Sequence, residues 1–487
     1  MSVLEYSSGY YSTYSLTYLC KGLFSLSKKT NRPNIIFFFT DQQRWDTTGV
    51  HGNPLNLTPN FDRMARTGTH LVNTITPQPV CGPCRSIMQT GMYATENGSF
   101  RNGIDLDPQW STLAQQFNDA GYETGYIGKW HLGDVNSFGG VEESQRGGYK
   151  YWLASNLLEF VSDAYDTRLY DNDQNEVRLP GYRVDAMTDA AIRYVDSVKD
   201  NPFFLFLSYL EPHHQNHLDS YPAPDGYEEQ YRAKWTPPDL TALGGSAQMH
   251  LPGYYGMVRR LDEALGRLMD ALKSLDILDN TVIVFTSDHG NHFKTRNAEY
   301  KRSCHDSSVH VPGAIQGPGF NGRGQVNQLV SLIDLPPTLL DVAGIDIPEQ
   351  MQGHSILPII KDNEADWQEE VFIQISESQV GRAIRTHRWK YCVVAEDADP
   401  WNDPSADTYK EAFLYDLSVD PYELHNLITY ESHIEVAEEL RARLLARIEQ
   451  VEHKQPAILS PDEYVQFGQL SASPDFPYIY SKLNKLR

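Results

Sequence analysis

Residues 34–41 read Asn-Ile-Ile-Phe-Phe-Phe-Thr-Asp, a short apolar run that ends in a carboxylate. An uninterrupted apolar run of this length is typical of a strand buried on both faces of a parallel sheet, since a half-exposed strand would alternate. Asp41 then lies at the carboxyl end of that strand. Comparable runs predict further strands at 123–127, 203–210 and 281–288.

Helical patterns separate these strands. Thr58 and Pro59 suit the start of a helix, because threonine caps an N-terminus and proline fits the first turn, and Gly68 suits its end. Further helices are predicted over residues 110–120, 184–198, 254–275 and 330–342. The alternation predicts an α/β fold with a large mixed, mostly parallel central sheet flanked by helices.

The composition becomes polar and acidic around residues 361–368, which suits a linker. Beyond it the pattern predicts short strands at 371–375, 381–385, 389–394 and 412–416, and a terminal helix over 434–451. A chain of 487 residues exceeds what one core usually supports. We therefore predict an N-terminal extension (1–33), a main α/β domain (34–365) and a C-terminal α+β subdomain with a small antiparallel sheet and the terminal helix (366–487).

The overall charge and the first residues limit the possible partners and compartments. The formal net charge of −23 argues against nucleic acid and anionic membranes as partners. No run reaches the ~20 apolar residues of a membrane span. The first 33 residues lack the continuous apolar segment of a signal peptide. A cytoplasmic protein is therefore expected, or a periplasmic or secreted one if a signal was removed.

Residues 81–85 read Cys-Gly-Pro-Cys-Arg and admit two chemistries. Alone, Cys-Gly-Pro-Cys is typical of a thiol–disulfide oxidoreductase of the thioredoxin type. Together with Thr90 and Gly91 it reads Cys-x-Pro-x-Arg-x-x-x-x-Thr-Gly, in which one cysteine is a precursor and the arginine binds an anion. Pro83 suits the first turn of a helix that begins near Cys81, where free amides favour an anion or a lowered cysteine pKa.

Chemically reactive side chains follow four of the predicted strands, at the edge where ligands bind in open α/β sheets. Asp41, Gln42, Asp288 and His289 supply oxygens and one imidazole, a mixture that suits a hard divalent cation such as Ca²⁺ or Mg²⁺. For one strand end alone, a carboxylate that caps a turn and a buried histidine would be the simpler explanation. Two matching strand ends favour a metal site.

Basic side chains occur in the same strings, which matters because an anionic substrate must overcome the negative charge of the whole chain. They are Arg85, Lys129, His131, His213 and Lys301. The arginine can bind an anion through two parallel hydrogen bonds, while the lysines act as point charges. A solvated charged face would explain Lys301, next to another basic residue, better than it explains Lys129, which directly follows a predicted strand.

On these strings the chain resembles the type I sulfatases of the alkaline-phosphatase superfamily, from about Pro33 into the C-terminal subdomain. The combination of motifs is highly specific. The matching strings are Thr40-Asp41-Gln42-Gln43, Thr58-Pro59-Asn60, Cys81-x-Pro-x-Arg85 with Thr90-Gly91, Gly128-Lys129-Trp130-His131, Pro212-His213, Thr286-Ser287-Asp288-His289-Gly290, Lys301 before Val311-Pro312, and Leu414-Tyr415-Asp416-Leu417. The dithiol interpretation explains neither the metal set nor the basic residues.

The resemblance implies a sulfuric ester hydrolase whose nucleophile is made from Cys81. A separate maturation enzyme would convert this cysteine to Cα-formylglycine, and the residue would join the four predicted ligands around the cation. One oxygen of the hydrated aldehyde attacks sulfur, and the other later expels the sulfate.

The same resemblance implies a role for each basic residue. Arg85 would support the hydrate, and Lys129 and Lys301 would hold sulfate oxygens. His131 would act as the base of the second step. His213 would protonate the leaving alcohol, a role for which the pKa of an imidazole is well placed.

Two positions depart from the pattern of the family. Relatives carry serine or alanine where this chain has Cys84, so a redox link between Cys81 and Cys84 is expected to be accessible in unmodified protein. His305 lies in Ser-Cys-His-Asp-Ser (303–307), where relatives more often carry Tyr-Glu close to the substrate. The substrate specificity is therefore expected to differ.

The substrate is predicted from a polar string, Glu-Pro-His-His-Gln-Asn-His at 211–217. His214 and Gln215 could hydrogen-bond sugar hydroxyls, which favours a sulfated carbohydrate over a flat aryl sulfate, although a merely polar loop explains them equally well. Asn102 is a candidate sulfate contact from its spacing to Cys81 alone. His305 completes the predicted substrate contacts.

Several alternatives remain open on the sequence. A phosphonate monoester or phosphodiester hydrolase can share the cysteine motif and the cation site. A thiol–disulfide oxidoreductase would use Cys81 and Cys84 directly. A carbohydrate-binding relative without catalysis would keep Cys81 unmodified. Association into a homo-oligomer is compatible with all of them.

Overall fold

The structure is a computed structural model, and it describes residues 32–461. The predicted N-terminal extension therefore lies outside the described residues, except for its last two. The same holds for residues 462–487 of the predicted C-terminal subdomain. Between residues 32 and 461, no helix is long and apolar enough to cross a membrane.

Two sheets contain the strands of this region. The larger sheet consists of β1 (Asn34–Thr40), β2 (Thr69–Ile75), β3 (Glu123–Lys129), β4 (Tyr151–Ser155), β5 (Thr167–Tyr170), β6 (Glu176–Leu179), β7 (Phe203–Ser208), β8 (Thr281–Ser287), β9 (His310–Val311), β10 (Ala314–Gln316) and β11 (Gly324–Ser331). The smaller sheet consists of β12 (Glu370–Ile375), β13 (Val380–Thr386), β14 (Trp389–Ala395), β15 (Thr408–Asp416) and β16 (Ala457–Leu459).

The larger sheet is mixed and mostly parallel, as predicted. Its order is β11-β2-β10-β8-β1-β7-β3-β4-β5-β6, with β9 paired to β2. Strand β1 lies at the centre and is parallel to both β7 and β8. Only β5, β9 and β10 run against the other strands of this sheet. The carboxyl ends of the central strands therefore meet at one edge, where polar side chains can converge.

Helices cover both faces of the larger sheet and one face of the smaller one. They are α1 (Pro59–Thr67), α2 (Cys81–Thr90), α3 (Ala94–Asn97), α4 (Leu113–Asp119), α5 (Leu158–Val161), α6 (Arg183–Val198), α7 (Tyr227–Tyr231), α8 (Pro238–Ala242), α9 (Ala247–Ser274), α10 (Asp306–Val309), α11 (Leu335–Ala343), α12 (Leu357–Lys361) and α13 (Ile434–Glu452).

Two predicted helices have different limits in the structure. The helix expected over 330–342 begins only at Leu335, because Val330 and Ser331 belong to β11 and pair with β2. Its two prolines, at 336 and 337, lie in the first turn, where the missing N–H costs no hydrogen bond. The helix expected from residue 254 begins earlier, at Ala247, and contains Pro252.

The core lies on both faces of β1, in agreement with its uninterrupted apolar run. Phe37 and Phe39 pack on one face with residues of α2, α4 and α11. Ile36 and Phe38 pack on the other face with residues of α1, α6 and α9. Burial of these alternating side chains fixes the register of β1 between its two parallel neighbours. The position of Asp41 follows from that register.

The smaller sheet carries α13 on one face, where one buried hydrophobic cluster contains Ile384, Tyr391, Leu440 and Leu444. Its other face packs against the larger sheet through a cluster that includes Ile75 of β2 and side chains of β12 to β15. This arrangement agrees with the predicted fold class. The domain boundary near residue 366 stays a proposal, because the two sheets share this apolar cluster.

Candidate active site

The two predicted metal-binding strings lie side by side at the carboxyl edge of the larger sheet. Thr40 of β1 pairs with Ser287 of β8, so the residues that follow, Asp41 and Asp288, emerge next to each other. One ligand atom from each of Asp41, Cys81, Asp288 and His289 lies within 4.8 Å of every other, and all four side chains are buried. Among the described residues, this is the one such group of His, Cys, Asp and Glu side chains.

Gln42 adds an amide to this group. Its backbone is left-handed, with a φ of 70°, and its N–H donates to Asp288 Oδ1 at 3.0 Å. The amide side chain is buried, and neither of its polar atoms has a hydrogen-bond partner within residues 32–461. A buried amide is costly without a partner. Two carboxylates, an amide oxygen and one imidazole therefore fit a hard divalent cation.

The two carboxylates differ in their electrostatic surroundings. Burial and the neighbouring Asp41 raise the pKa of Asp288 to about 6. Burial and Cys81 would also raise the pKa of Asp41, but Lys129, His213 and Arg85 outweigh them and hold that pKa below its usual value. A bound dication would favour the ionised form of both carboxylates.

Cys81 begins α2 and is buried beside these ligands. Its Sγ lies 3.3 Å from His289 Nε2, 3.8 Å from Asp41 Oδ1 and 2.7 Å from Lys301 Nζ. Burial would raise the pKa of the thiol, but Lys129, Lys301 and His289 lower it well below its usual value. The surroundings of residue 81 therefore stabilise negative charge.

Arg85 of α2 and Lys129 of β3 contact the two carboxylates. Arg85 donates to Asp41 Oδ2 at 2.9 Å and to Asp288 Oδ2 at 3.3 Å. Lys129 Nζ lies 2.8 Å from Asp41 Oδ2 and 3.1 Å from Glu159 Oε1. Because both cations are buried, their charge is little screened by water. They can orient the carboxylates and bind an anion at the same time.

The remaining predicted basic residues also face Cys81. Lys301 Nζ lies 3.3 Å from His213 Nε2, while His213 Nδ1 donates to the carbonyl of His214 at 2.7 Å. A hydrogen bond from His131 contributes to the lowered pKa of Cys81. The Nδ1 atom of His131 lies 3.8 Å from Glu159 Oε1. All five basic residues predicted from the sequence therefore come together.

Asn102 supports the first turn of α2. Its Oδ1 accepts a hydrogen bond from the Gly82 N–H at 2.8 Å, and a Cβ at position 82 would lie only 2.9 Å from that oxygen. Asn102 is held in turn by Glu377, which accepts from its backbone N–H at 2.6 Å and also pairs with Arg302. Glu377 lies between β12 and β13, so the smaller sheet contributes to the site.

The other residues predicted to contact the substrate do not all lie at the site. His214 stacks on His213 with 4.4 Å between ring centroids and stays close to the site. Gln215 donates to the carbonyls of Glu159 and Ser162, which indicates a role in holding that segment. His305 packs against Phe413 and lies 3.1 Å from the hydroxyl of Tyr415, both in the smaller sheet. A substrate contact by Gln215 or His305 stays a prediction with little support from these positions.

The site also contains residues that the sequence analysis missed. Glu159 contacts Lys129, Ser208 accepts from Arg85 at 2.6 Å, and Glu377 holds Asn102. Ser208 ends β7, so its place at a strand end could have indicated it. Glu159 and Glu377 come from a short helix and a loop, and no local pattern marks them.

Cys84 is a free thiol on the core side of α2, and Cys81 is free as well. The structure contains no disulfide between them, and an accessible redox link in unmodified protein stays a prediction. Thr76 Oγ1 donates to Cys84 Sγ at 3.5 Å. Burial, together with the charge of Asp288, raises the pKa of Cys84 well above its usual value.

Buried cations that face one sulfur atom, beside carboxylates directed at a cation position, are suited to an anionic ester and not to a dithiol. This arrangement, on a mostly parallel α/β sheet, defines the class of protein: a metal-dependent hydrolase of sulfate or phosphate esters.

Comparison with known proteins identifies the family within this class. The chain matches the sulfatase family over residues 33–345 and the N-sulphoglucosamine sulphohydrolase C-terminal family over residues 299–450. It is 30% identical to an ulvan-active sulfatase of Formosa agariphila, with 85% of this chain and 80% of that protein covered. An N-acetylglucosamine-6-O-sulfatase of Bacteroides thetaiotaomicron is 26% identical, with 85% and 86% covered.

Solved structures show the same fold. A protein in complex with its substrate D-glucosamine-2-N,6-O-disulfate gives a TM-score of 0.71 at 24% identity, covering 87% of this chain and 99% of that chain. A phosphonate monoester hydrolase of Agrobacterium radiobacter gives a TM-score of 0.64 at 23% identity, covering 86% of this chain and 96% of that chain. At these identities the two structures show a shared fold alone.

The chain belongs to the sulfatase family and is a sulfuric ester hydrolase. Membership implies a bound metal ion and a formylglycine made from a cysteine. The predicted resemblance and fold class are confirmed, and the sulfatase hypothesis is confirmed over the thiol–disulfide oxidoreductase.

Proposed function

We propose that this sulfatase hydrolyses the sulfate ester of a sulfated carbohydrate, with Ca²⁺ as its cation and with residue 81 as the nucleophile after conversion to formylglycine. The observation that carries the proposal is the set of basic side chains around Cys81, of which Lys301 Nζ lies 2.7 Å and His289 Nε2 3.3 Å from the sulfur. Two relatives whose names specify carbohydrate substrates, ulvan and an N-acetylglucosamine sulfate, support the substrate class.

Asp41, Gln42, Asp288 and His289 would hold the cation, and residue 81 would complete the set. When bound, the cation would supply positive charge next to the nucleophile and a sulfate oxygen. His289 Nδ1 donates to the carbonyl of Gly290 at 2.9 Å, which leaves Nε2 available as a ligand. Oxygen ligands outnumber nitrogen here, which suits both Ca²⁺ and Mg²⁺. The number of protein ligands favours Ca²⁺, because Mg²⁺ usually keeps several waters and is held by only one or two carboxylates.

Lys129 and Lys301 would bind the sulfate group on either side of residue 81. Both are buried, so they lose little interaction energy to water and can stabilise charge that develops on the sulfate oxygens. Arg85 holds Asp41 and the carbonyl of Lys129 together. This contact would keep the nucleophile, the carboxylates and the first lysine in one fixed geometry.

His213 would protonate the leaving alcohol from Nε2, because its Nδ1–H is engaged by the carbonyl of His214. Burial and Lys301 lower the pKa of His213, so the imidazole is neutral in the site without substrate. The negative charge of a bound sulfate acts in the opposite direction and favours the protonated ring. His131, oriented by Glu159, would take the proton in the second step.

A separate maturation enzyme is part of the proposal. The Cys81 side chain is buried in the folded chain, with 1% of its surface exposed. Conversion by another protein would therefore act before this region has folded.

Mass spectrometry of the proteolytic peptide that contains residue 81, combined with turnover assays, tests the proposal. We expect an aldehyde or its hydrate in place of the thiol, and hydrolysis of sulfated saccharides that is lost in Cys81→Ala. Phosphonate turnover far above that of all sulfate esters would overturn the substrate assignment. An unmodified cysteine in active protein would overturn the assignment of formylglycine as the nucleophile. Saccharide binding without any turnover would indicate a non-catalytic carbohydrate-binding protein.

A further inference from the structure

A cavity of about 390 Å³ opens next to the candidate active site. This volume lies within the roughly 300–1,000 Å³ of typical small-molecule sites. Its walls include His214, Asp219, Lys294, Glu299 and Tyr300. The ring of His214 stacks on that of His213 and packs at a tilt against that of Tyr300, with 4.4 Å between ring centroids in each case. The cavity therefore adjoins His214, whose ring contacts His213 on the leaving-group side.

The polar groups of the cavity wall are held in fixed positions. The Tyr300 hydroxyl donates to Asp219 Oδ1 at 2.6 Å, and Lys294 Nζ lies 3.3 Å from Asp219 Oδ2. Lys294 also lies over the ring of Tyr300, 4.6 Å from its centroid. Both Asp219 and Lys294 have left-handed backbones, with φ values of 44° and 62°. Such strained conformations of non-glycine residues are concentrated at ligand-binding positions.

One buried group in the wall has unused hydrogen-bonding capacity. His214 is only 8% exposed, and its Nδ1 has no hydrogen-bond partner within the part of the chain that the structure describes. Burial and the neighbouring His213 lower the pKa of His214 well below its usual value, so the ring is neutral. A neutral imidazole without a partner can bind a hydroxyl or an amide group of a ligand.

We infer that this cavity binds the sugar ring that bears the sulfate ester, and that this ring carries no second anionic group. The inference rests on the proposed function. Asp219 and Glu299 provide acceptors for sugar hydroxyls, while Lys294 and His214 provide complementary polar contacts. Lys294 is the one cation among the described residues that line the cavity, and Asp219 already engages it. Glu299 is likewise paired with Arg302, at 3.3 Å. Each charged group of the wall therefore already has a partner, and the carboxylate of a uronic acid or a second sulfate would meet no unengaged cation among the described residues of the wall.

Kinetics with Lys294→Gln and Asp219→Asn test this subsite. The substrates are the 6-sulfates of N-acetylglucosamine and galactose, a glucuronic acid 2-sulfate and 4-nitrophenyl sulfate. The first measured ratio is kcat/KM for the better of the two neutral sugar sulfates divided by kcat/KM for the aryl sulfate. We expect Lys294→Gln to reduce this ratio at least tenfold. Asp219→Asn should increase turnover of the uronic acid sulfate relative to the neutral sugar sulfates. Asp196→Asn, in an exposed ion pair with Lys199 on α6, is the matched control and should change neither ratio.

Calorimetric binding of the unsulfated sugars to Cys81→Ala separates the two proposals. Sugar binding to Cys81→Ala that Lys294→Gln abolishes, together with wild-type protein that hydrolyses no ester, would sustain the subsite and overturn the proposed function. Ester hydrolysis with ratios that neither variant changes, or a wild-type preference for the uronic acid sulfate, would overturn the subsite alone. Absence of both sugar binding and a sugar-sulfate preference would overturn it as well.

Discussion

Two cysteines three residues apart in α2 have opposite chemical surroundings. Cys81 lies at the first position of the helix, where Lys129 and Lys301 lower its pKa. Cys84 packs with Leu71 and Met88 in the core, and burial raises its pKa. A thiol buried in apolar surroundings is inert, whereas a thiol among cations is reactive. The Cys-Gly-Pro-Cys string therefore contains one chemically active residue and one core residue.

Cys84→Ala tests this division. We expect the variant to retain sulfate ester hydrolysis within about twofold, and to lose ~1 kcal/mol of unfolding free energy, the cost of deleting one buried methylene-sized group. Denaturant unfolding and turnover assays measure both. Cys392→Ala, which removes another buried free thiol, is the matched control. A folded Cys84→Ala protein without activity, or wild-type protein that reduces insulin disulfides, would contradict the assignment.

Strand β2 contributes a buried histidine to a cluster outside the active site. His70 is 2% exposed, and neither of its ring nitrogens has a hydrogen-bond partner among residues 32–461. The centroid of its ring lies 4.7 Å from that of His51, and the centroid of the His51 ring lies 5.7 Å from that of His310 of β9. Burial and the neighbouring His310 lower the pKa of His70 to about 4. The folded state therefore favours an uncharged ring at this position.

His70→Phe should make the protein less sensitive to acid. The unfolded chain binds a proton at His70 below a pH of about 6.5 but the folded chain only below about 4, so stability is lost as the pH falls through this window, by up to about 3 kcal/mol. The phenyl ring removes this titration. Unfolding free energies at pH 7.5 and pH 4.5 measure the effect, and His425→Phe, at an exposed histidine, is the control. An unchanged difference between the two pH values would refute the prediction.

At the scale of the whole molecule, the larger sheet places two carboxylates side by side and the smaller sheet fixes the helix that faces them. Asp41 and Asp288 follow adjacent parallel strands, and Glu377 holds Asn102 against the first turn of α2. The site thus joins parts of the chain 275 residues apart. Stability and cation binding are expected to be coupled, because adjacent buried carboxylates repel each other without a cation.

Removal of the cation should therefore lower the melting temperature. A cation at 100 times its Kd stabilises the folded state by about 2.7 kcal/mol. We expect EDTA to reduce both Tm and activity, and Ca²⁺ to restore them better than Mg²⁺. Asp288→Asn should reduce the difference in Tm between protein with EDTA and protein with Ca²⁺. Full activity in metal-free protein, verified by elemental analysis, would exclude the proposed cation site.

The sequence by itself determined the apolar strands, the polar side chains at their carboxyl ends and the family, since periodicity and strand-end chemistry are local properties. It grouped Asp41, Cys81 and Asp288 in one predicted site, and the structure brings ligand atoms of all three within 4.8 Å of one another. The limits of α11 were less predictable, because pairing of Val330 and Ser331 with β2 outweighs local helical pattern.

Only the tertiary structure decided which of the remaining polar residues reach the site. It brings in Glu159 and Glu377, and it directs Gln215 and His305 to other contacts. It also forms the cavity beside His213 from loops that are distant in the chain. These positions depend on how helices and loops pack on the two sheets, and no short sequence pattern encodes that packing.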